Sequence, residues 1–463
     1  MKNTLHLFVG GLVMLYTTVN AQWSNVGADF VSASSSSSTN IVSNEFGVFT
    51  AFIETNRANV KKFNGVNWET VGSPNFSPQN IQSLSLAMDG ATPYVAFRDN
   101  SAGSKVSVMR FNGNTWEYVG PQGFSSGAVQ YTKIRINNNI PYVAFQNSSN
   151  GKASVMAFNG ADWQFVGNPA IGQGTVWNLQ LEWNDNTPYL SFREFLSGVN
   201  KLNVMKLVSG TWQYEGSAVE DLQLNSDGSN PLVNSSIAFE PEIKTPYVSY
   251  IINSPDGFQR VLITKKLTGG NWTAVGNPVN NVFNTISGGL KLVFYNNKPT
   301  VAFCNYNTST PDVKISVQNF HEGTWQSLDG NLFASAGVIG SEEFPQDVSL
   351  DLFADNNNLY LSYSEDFPIN GRLRVRKFTG TLSSIDRVPF TDQVTVYPNP
   401  SNGILNISTY QDQEPAWTVY NSLGQLLLQG YTSHVTIASL PQGHYILQIK
   451  YADKSFVKHI IRK

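Results

Sequence analysis

A tryptophan–glycine anchor and an apolar strand of the form Pro-Tyr-Val-Ala-Phe each recur seven times along 463 residues. With only 14% charged residues and 37 glycines, this repeat predicts an all-β fold: a seven-bladed β-propeller with strand-sharing ring closure, then a small C-terminal domain. Four short strands in each unit of 40 to 60 residues, repeated around a ring, are what such a fold requires.

The first anchor is Trp23/Gly27, Trp68/Gly72, Trp116/Gly120, Trp163/Gly167, Trp212/Gly216, Trp272/Gly276 and Trp325/Gly330. The second occupies residues 93–97, 141–145, 188–192, 246–250 and 299–303, with looser copies at 48–52 and 359–363. Within one unit, residues 81–87 alternate apolar and polar, Asp89-Gly90 turns the chain into the apolar strand, and Asn112-Gly113 links the last two strands. Alternating runs joined by such dipeptides are hairpin signals.

The phase of the repeat predicts how the ring closes. The chain opens on an isolated fourth strand, Trp23 to Gly27, whereas the seventh unit lacks one, because Gly380-Thr381-Leu382 carries no tryptophan. Lending the first strand to the last unit completes seven blades and removes two free sheet edges. The tryptophans then supply packing area and the glycines turns. Phe30, Phe76, Phe124, Ile171 and Phe333, which follow the anchor glycines, read as plugs between blades.

Lys2, an apolar stretch over residues 5–16 and Val19-Asn20-Ala21 have the form of a cleavable export signal. The expected organisation is a signal peptide at 1–21, the propeller at 22–382, a linker at 383–393 and a C-terminal domain at 394–463. No later run reaches the roughly 20 apolar residues a membrane helix needs. A formal charge of −3 offers nucleic acid no basic face. Cys304 is the only cysteine, so no intrachain disulfide forms.

Connections between the second and third strands, and between blades, read as the long ones, and both emerge on one end of the ring. Function is expected there. Two residues past each second strand stand Glu54, Asp99, Asn147, Glu194, Asn305 and Glu365, with Ile252 breaking the series. Such a ring suits a hard cation or sugar hydroxyls, or each side chain caps its own loop. Features that break the repeat are sharper pointers: Trp177, read as lying in a blade connection, and Arg98 and Arg193 beside two of the acids. Asn225-Ser226-Asp227-Gly228 resembles a calcium loop but has too few acidic ligands around it.

Catalytic patterns are missing. Sialidase propellers carry a Ser-x-Asp-x-Gly-x-Thr-Trp hairpin; here Phe111 stands where the aspartate belongs, ahead of Gly113-Asn114-Thr115-Trp116. Between the signal and the C-terminal domain His321 is the only histidine, which disfavours histidine zinc sites and a Ser-His-Asp triad. A carboxylate pair for glycoside hydrolysis is spatial and leaves no linear trace. The sequence therefore suggests a binding protein for a glycan or another surface polymer, the alternative being a glycoside hydrolase or lyase with carboxylates at the propeller mouth.

The last 70 residues carry Val396-Tyr397-Pro398-Asn399-Pro400, then Asn421-Ser422-Leu423-Gly424-Gln425, Leu440-Pro441-Gln442-Gly443-His444-Tyr445 and a basic end. They resemble the type A C-terminal sorting domain of the type IX secretion system of Bacteroidota. That resemblance implies a small Ig-like β-sandwich serving as an export address, the secretion machinery as partner, and a secreted or cell-surface destination.

Overall fold

The computed structural model describes residues 22–27, 30–222, 232–253, 260–280, 289–307, 312–328, 333–335, 349–355, 358–365, 371–379, 394–409, 414–421, 425–451 and 454–463. The chain divides into two compact units, residues 21–380 and a C-terminal unit beyond them. Apart from one 3-10 turn at Asn100–Ala102, regular structure among the described residues is β-strand.

In the first unit, the described strands form seven antiparallel sheets, each built on four strands in meander order. The innermost strands are Ser36–Asn44, Ile81–Asp89, Val129–Asn137, Thr175–Asn184, Leu232–Phe239, Leu290–Tyr295 and Leu350–Ala354, which number blades 1 to 7. Each touches the next, and the seventh touches the first, so the sheets close into a ring. Gln22–Asn25 completes blade 7 by pairing antiparallel with Arg372–Thr379, Trp23 opposite Phe378. The predicted loan of the first strand is the observed closure.

The tryptophan–glycine anchor is a joint between blades. Trp68, Trp116, Trp163 and Trp212 donate their indole N–H to the backbone oxygens of Val26, Val71, Val119 and Val166 at 2.7 to 2.8 Å. Each acceptor immediately precedes the anchor glycine of the preceding blade. Gly72 shows why no side chain is tolerated there: φ is +72°, and a Cβ would lie 2.8 Å from Phe111 and 3.1 Å from the Trp116 ring. Phe76 and Phe124 fill the same joints, stacked on Trp116 and Trp163 at 3.8 and 4.4 Å. Phe30 instead lies beneath the guanidinium groups of Arg372 and Arg374; the Phe333 side chain lies outside the described residues.

One sequence expectation needs correcting. The connection between second and third strands is a two-residue turn in blades 1 and 4, where Glu54 pairs with Arg57 and Leu196 with Val199. Those strands simply continue to the tip of the hairpin, so elaboration of that end falls on the other blades.

In the C-terminal unit, Val394–Tyr397, Ile404–Thr409 and His434–Thr436 form one sheet. Leu426–Tyr431, Ala416–Tyr420, Gly443–Tyr451 and Lys454–Arg462 form a second. Leu405, Ile407 and Val435 from the first pack with Trp417, Val419, Leu447 and Ile460 from the second, which makes a β-sandwich.

Candidate functional site

The inner strands surround a central channel of about 1390 Å³, above the range of about 300–1,000 Å³ usual for a small-ligand site. Its side chains can be ordered by register. Opposite the fourth residue of each apolar anchor stand Asn40, Ser85, Lys133, Gln180, Ser236, Lys291 and Asp351 in blades 1 to 7.

An inner strand is a sheet edge whose outward N–H groups need acceptors. In four blades this register position supplies one to the next blade. Leu86 N–H donates to Asn40 at 3.4 Å, Ile134 to Ser85 at 3.1 Å, Leu292 to Ser236 at 3.0 Å and Ile41 to Asp351 at 3.0 Å. Lysine has no acceptor, so Lys133 and Lys291 depart from the pattern. Lys291 pairs with Asp351 at 3.3 Å. Two residues further along, Arg135 and Glu182 occupy equivalent positions in adjacent blades and form a two-pronged pair, with Nε to Oε2 at 2.9 Å.

Burial pushes the Glu182 carboxyl up, but the Arg135 charge and hydrogen bonds, reinforced by Lys291 and Lys133, outweigh it and hold the group below its ordinary value. Lys133 has no hydrogen bond or ion pair among the described residues. Burial, then the charges of Lys291 and Arg135, lower its pKa to about 8.

Above this charged level lies the channel mouth, at the N-terminal ends of the inner strands. Register skips at the same point in blades 1 to 4, between Ser37 and Asn40, Gln82 and Ser85, Gln130 and Lys133, and Trp177 and Gln180. Each bulge contains one left-handed residue: Ser38, Ser83, Tyr131 and Asn178, with φ between 52° and 55°. All four line the channel, together with Asn56, Gln82 and Asn100. A tyrosine in that conformation is uncommon, and bulges re-aim side chains beside functional sites.

Arg193 lies 4.2 Å above the Trp177 ring, its cross-strand partner, and its charge acts on Tyr131 from the neighbouring blade. Trp177 belongs to the inner strand Thr175–Asn184. It was expected in a connection because the bulge after it interrupts the alternation that marks a strand.

The four described members of the expected ring of oxygens bond to the protein around them. Asp99 is fully buried and accepts from the Ser101 backbone at 3.0 Å, Ser107 at 3.0 Å and Gln122 at 2.8 Å. Glu194, also buried, accepts from Gly174, Asn203 and Tyr214 at 2.7 to 2.8 Å. Glu54 accepts from Ser34 Oγ at 3.0 Å, and Asn147 donates to Ser154 at 2.7 Å. Arg98 donates to Ser104 at 3.1 Å. Asn305 and Glu365 pair with Lys314 and Arg372 in their ladders; their side chains lie outside the described residues, as does the segment 225–228.

Sequence reasoning missed Tyr131, Lys133, Arg135, Glu182, Lys291 and Asp351. The signal was available: aligning first strands on the apolar anchor sets lysine at two positions where other blades carry Ser, Asn, Gln or Asp. Among the described residues no three metal-binding side chains converge.

No curated protein sequence matches the chain. Solved structures similar to it include a mutant of AofleA from Arthrobotrys oligospora, 14% identical over 66% of this chain and 88% of that one, with a TM-score of 0.43. The polysaccharide lyase Uly1 is 8% identical over 76% and 90%, with a TM-score of 0.46. A thermostable family-43 glycoside hydrolase is 12% identical over 58% and 96%, with a TM-score of 0.35. Residues 395–463 match the family of secretion system C-terminal sorting domains. The sandwich is thus a type IX sorting domain, and the chain an all-β propeller protein addressed for secretion or attachment to the cell surface.

Proposed function

We propose that the propeller is a recognition module for a glycan or another surface polymer, bound at the bulged mouth of the channel. The observation that carries this reading is the arc of Ser38, Ser83, Tyr131 and Asn178 in four adjacent blades, held left-handed at one level and flanked by Gln82 and Asn100. Hydroxyl and amide side chains both donate and accept, as sugar hydroxyls do. Tyr131 and Trp177 offer aromatic faces for the apolar side of a sugar ring. Apart from Asn100, in the 3-10 turn, the groups sit on strands, so little ordering is needed on binding. In this reading residues 1–21 are a signal peptide, 22–382 the exported module and 383–393 a linker to the sorting domain. Asp99 and Glu194 shape the loops around the mouth, and no bound calcium is needed.

A hydrolase or lyase is the second reading, favoured by Glu182 and Asp351 sharing the channel. Against it, Arg135 holds Glu182 in its ionised form and Asp351 is committed to Lys291 and the Ile41 N–H, whereas glycosidic cleavage needs a protonated acid. Glycan-array binding followed by calorimetry separates the two. Trp177→Ala should weaken binding several-fold, about 1 kcal/mol of lost stacking, without unfolding the ring, and Asn138→Ala, in a short turn at the opposite end, should leave binding unchanged. New reducing ends or unsaturated uronates released from the bound polymer would overturn the binding reading.

A further inference from the structure

Resting on that reading of the mouth, we infer that the polymer is anionic, and that a carboxylate or sulfate group on one of its sugars is held by Lys133 inside the channel. Three observations carry this. First, the charged level holds three cations, Lys133, Arg135 and Lys291, against two carboxylates, Glu182 and Asp351, and both carboxylates are engaged elsewhere. The surplus positive charge is Lys133, half-buried and unpaired among the described residues.

Second, an ammonium group withdrawn from water without a partner is costly. Here it also replaces the Ser, Asn or Asp that accepts the next blade's N–H in four other blades. A residue that weakens the ring's own stitching and raises its electrostatic cost supplies something packing does not need. Third, Lys133 lies two residues along the same strand from Tyr131, at the edge of the same bulge. A sugar stacked at the mouth therefore brings a substituent within reach of it. A neutral polymer offers this cation hydroxyl oxygens as acceptors but no opposite charge.

The test uses the full chain and the variants Lys133→Gln and Lys133→Arg in calorimetric titrations. The probes are oligogalacturonate, a sulfated galactan oligomer and a neutral oligosaccharide of equal length. The expected result is binding of one anionic oligomer at least tenfold tighter than the neutral one, a loss of about that factor in Lys133→Gln alone, and recovery in Lys133→Arg. Which anionic oligomer wins tells carboxylate from sulfate. Wild-type binding should fall as pH rises through about 8, because Lys133 discharges while Arg135 remains charged; the Lys133→Arg variant should lack that fall.

Equal affinity for anionic and neutral oligomers, or a Lys133→Gln variant that binds the anionic one undiminished, overturns the inference and leaves the glycan reading standing. Thermal melting in galacturonate and in sulfate probes the anion site without any polymer. Stabilisation of the wild type but not of Lys133→Gln would support the site even if no oligosaccharide bound, and only the glycan reading would then fail. No stabilisation by either anion, together with no preference among oligomers, would dispose of the anion site itself.

Discussion

Substituting Gly72 disturbs two features at once, its left-handed backbone and the space taken by the neighbouring blade's aromatic rings. Gly72→Ala should cost about 1–3 kcal/mol from the backbone conformation alone, with crowding against Phe111 added, measured by chemical denaturation. Trp116→Phe keeps most of the ring contact but removes the donor to Val71, and should cost about 1 kcal/mol. Lys133 makes a prediction of opposite sign. Its folded-state pKa lies below the ordinary 10.5, so between about 8 and 10.5 the unfolded chain binds more protons. Stability should therefore rise with pH across that window. In Lys133→Met the rise should flatten and melting at pH 7 should shift upward, both seen by calorimetry across pH.

Strands were legible wherever their signal repeats. The apolar anchors, the turns at Asp89-Gly90 and Asn112-Gly113, and the phase that loans the first strand to blade 7 could all be read from spacing. The inner strands were harder, because a bulge in those of blades 1 to 4 breaks period-2 alternation, which moved Trp177 out of its strand. The channel was illegible for a related reason: Arg135 meets Glu182, and Lys291 meets Asp351, only because separate blades share a register around an axis. Of the series from Glu54 to Glu365, the described side chains Glu54, Asp99, Asn147 and Glu194 follow the loop-capping alternative, bonding to groups of the loops and strands around them. At this scale the firmest prediction concerns Gln22–Asn25. Its removal exposes the edge of Arg372–Thr379 and the Phe378 ring beside Trp23, and should cause aggregation or a large drop in melting temperature. A truncated chain that stays monomeric with unchanged melting would contradict the closure.

As a whole, the molecule separates address from cargo. The sorting sandwich has its own core around Trp417, Leu447 and Ile460, and the ring has joints of its own at the anchor tryptophans Trp68, Trp116, Trp163 and Trp212. Truncation after Gly380 should leave a folded, soluble propeller that accumulates in the periplasm of a host with the type IX machinery, as fractionation and protease sensitivity would report. Recovery of that form in the medium would contradict the role of the tail.

Ring closure also sets an order of events in time. Gln22 meets Thr379, so the earliest strand of the described chain finds its partner among the last strands of the propeller. Joining those ends through an unfolded chain would carry an entropic cost of about 5 kcal/mol by the logarithmic rule for loop closure. Local hairpins face no such barrier and form within microseconds. The blades are therefore expected to assemble one upon another, each shortening the gap left to span, until the final seam falls between the ends of an almost finished ring. That seam is the latest part to form and, by the same route reversed, the first to open: a latch whose release precedes every other loss of structure.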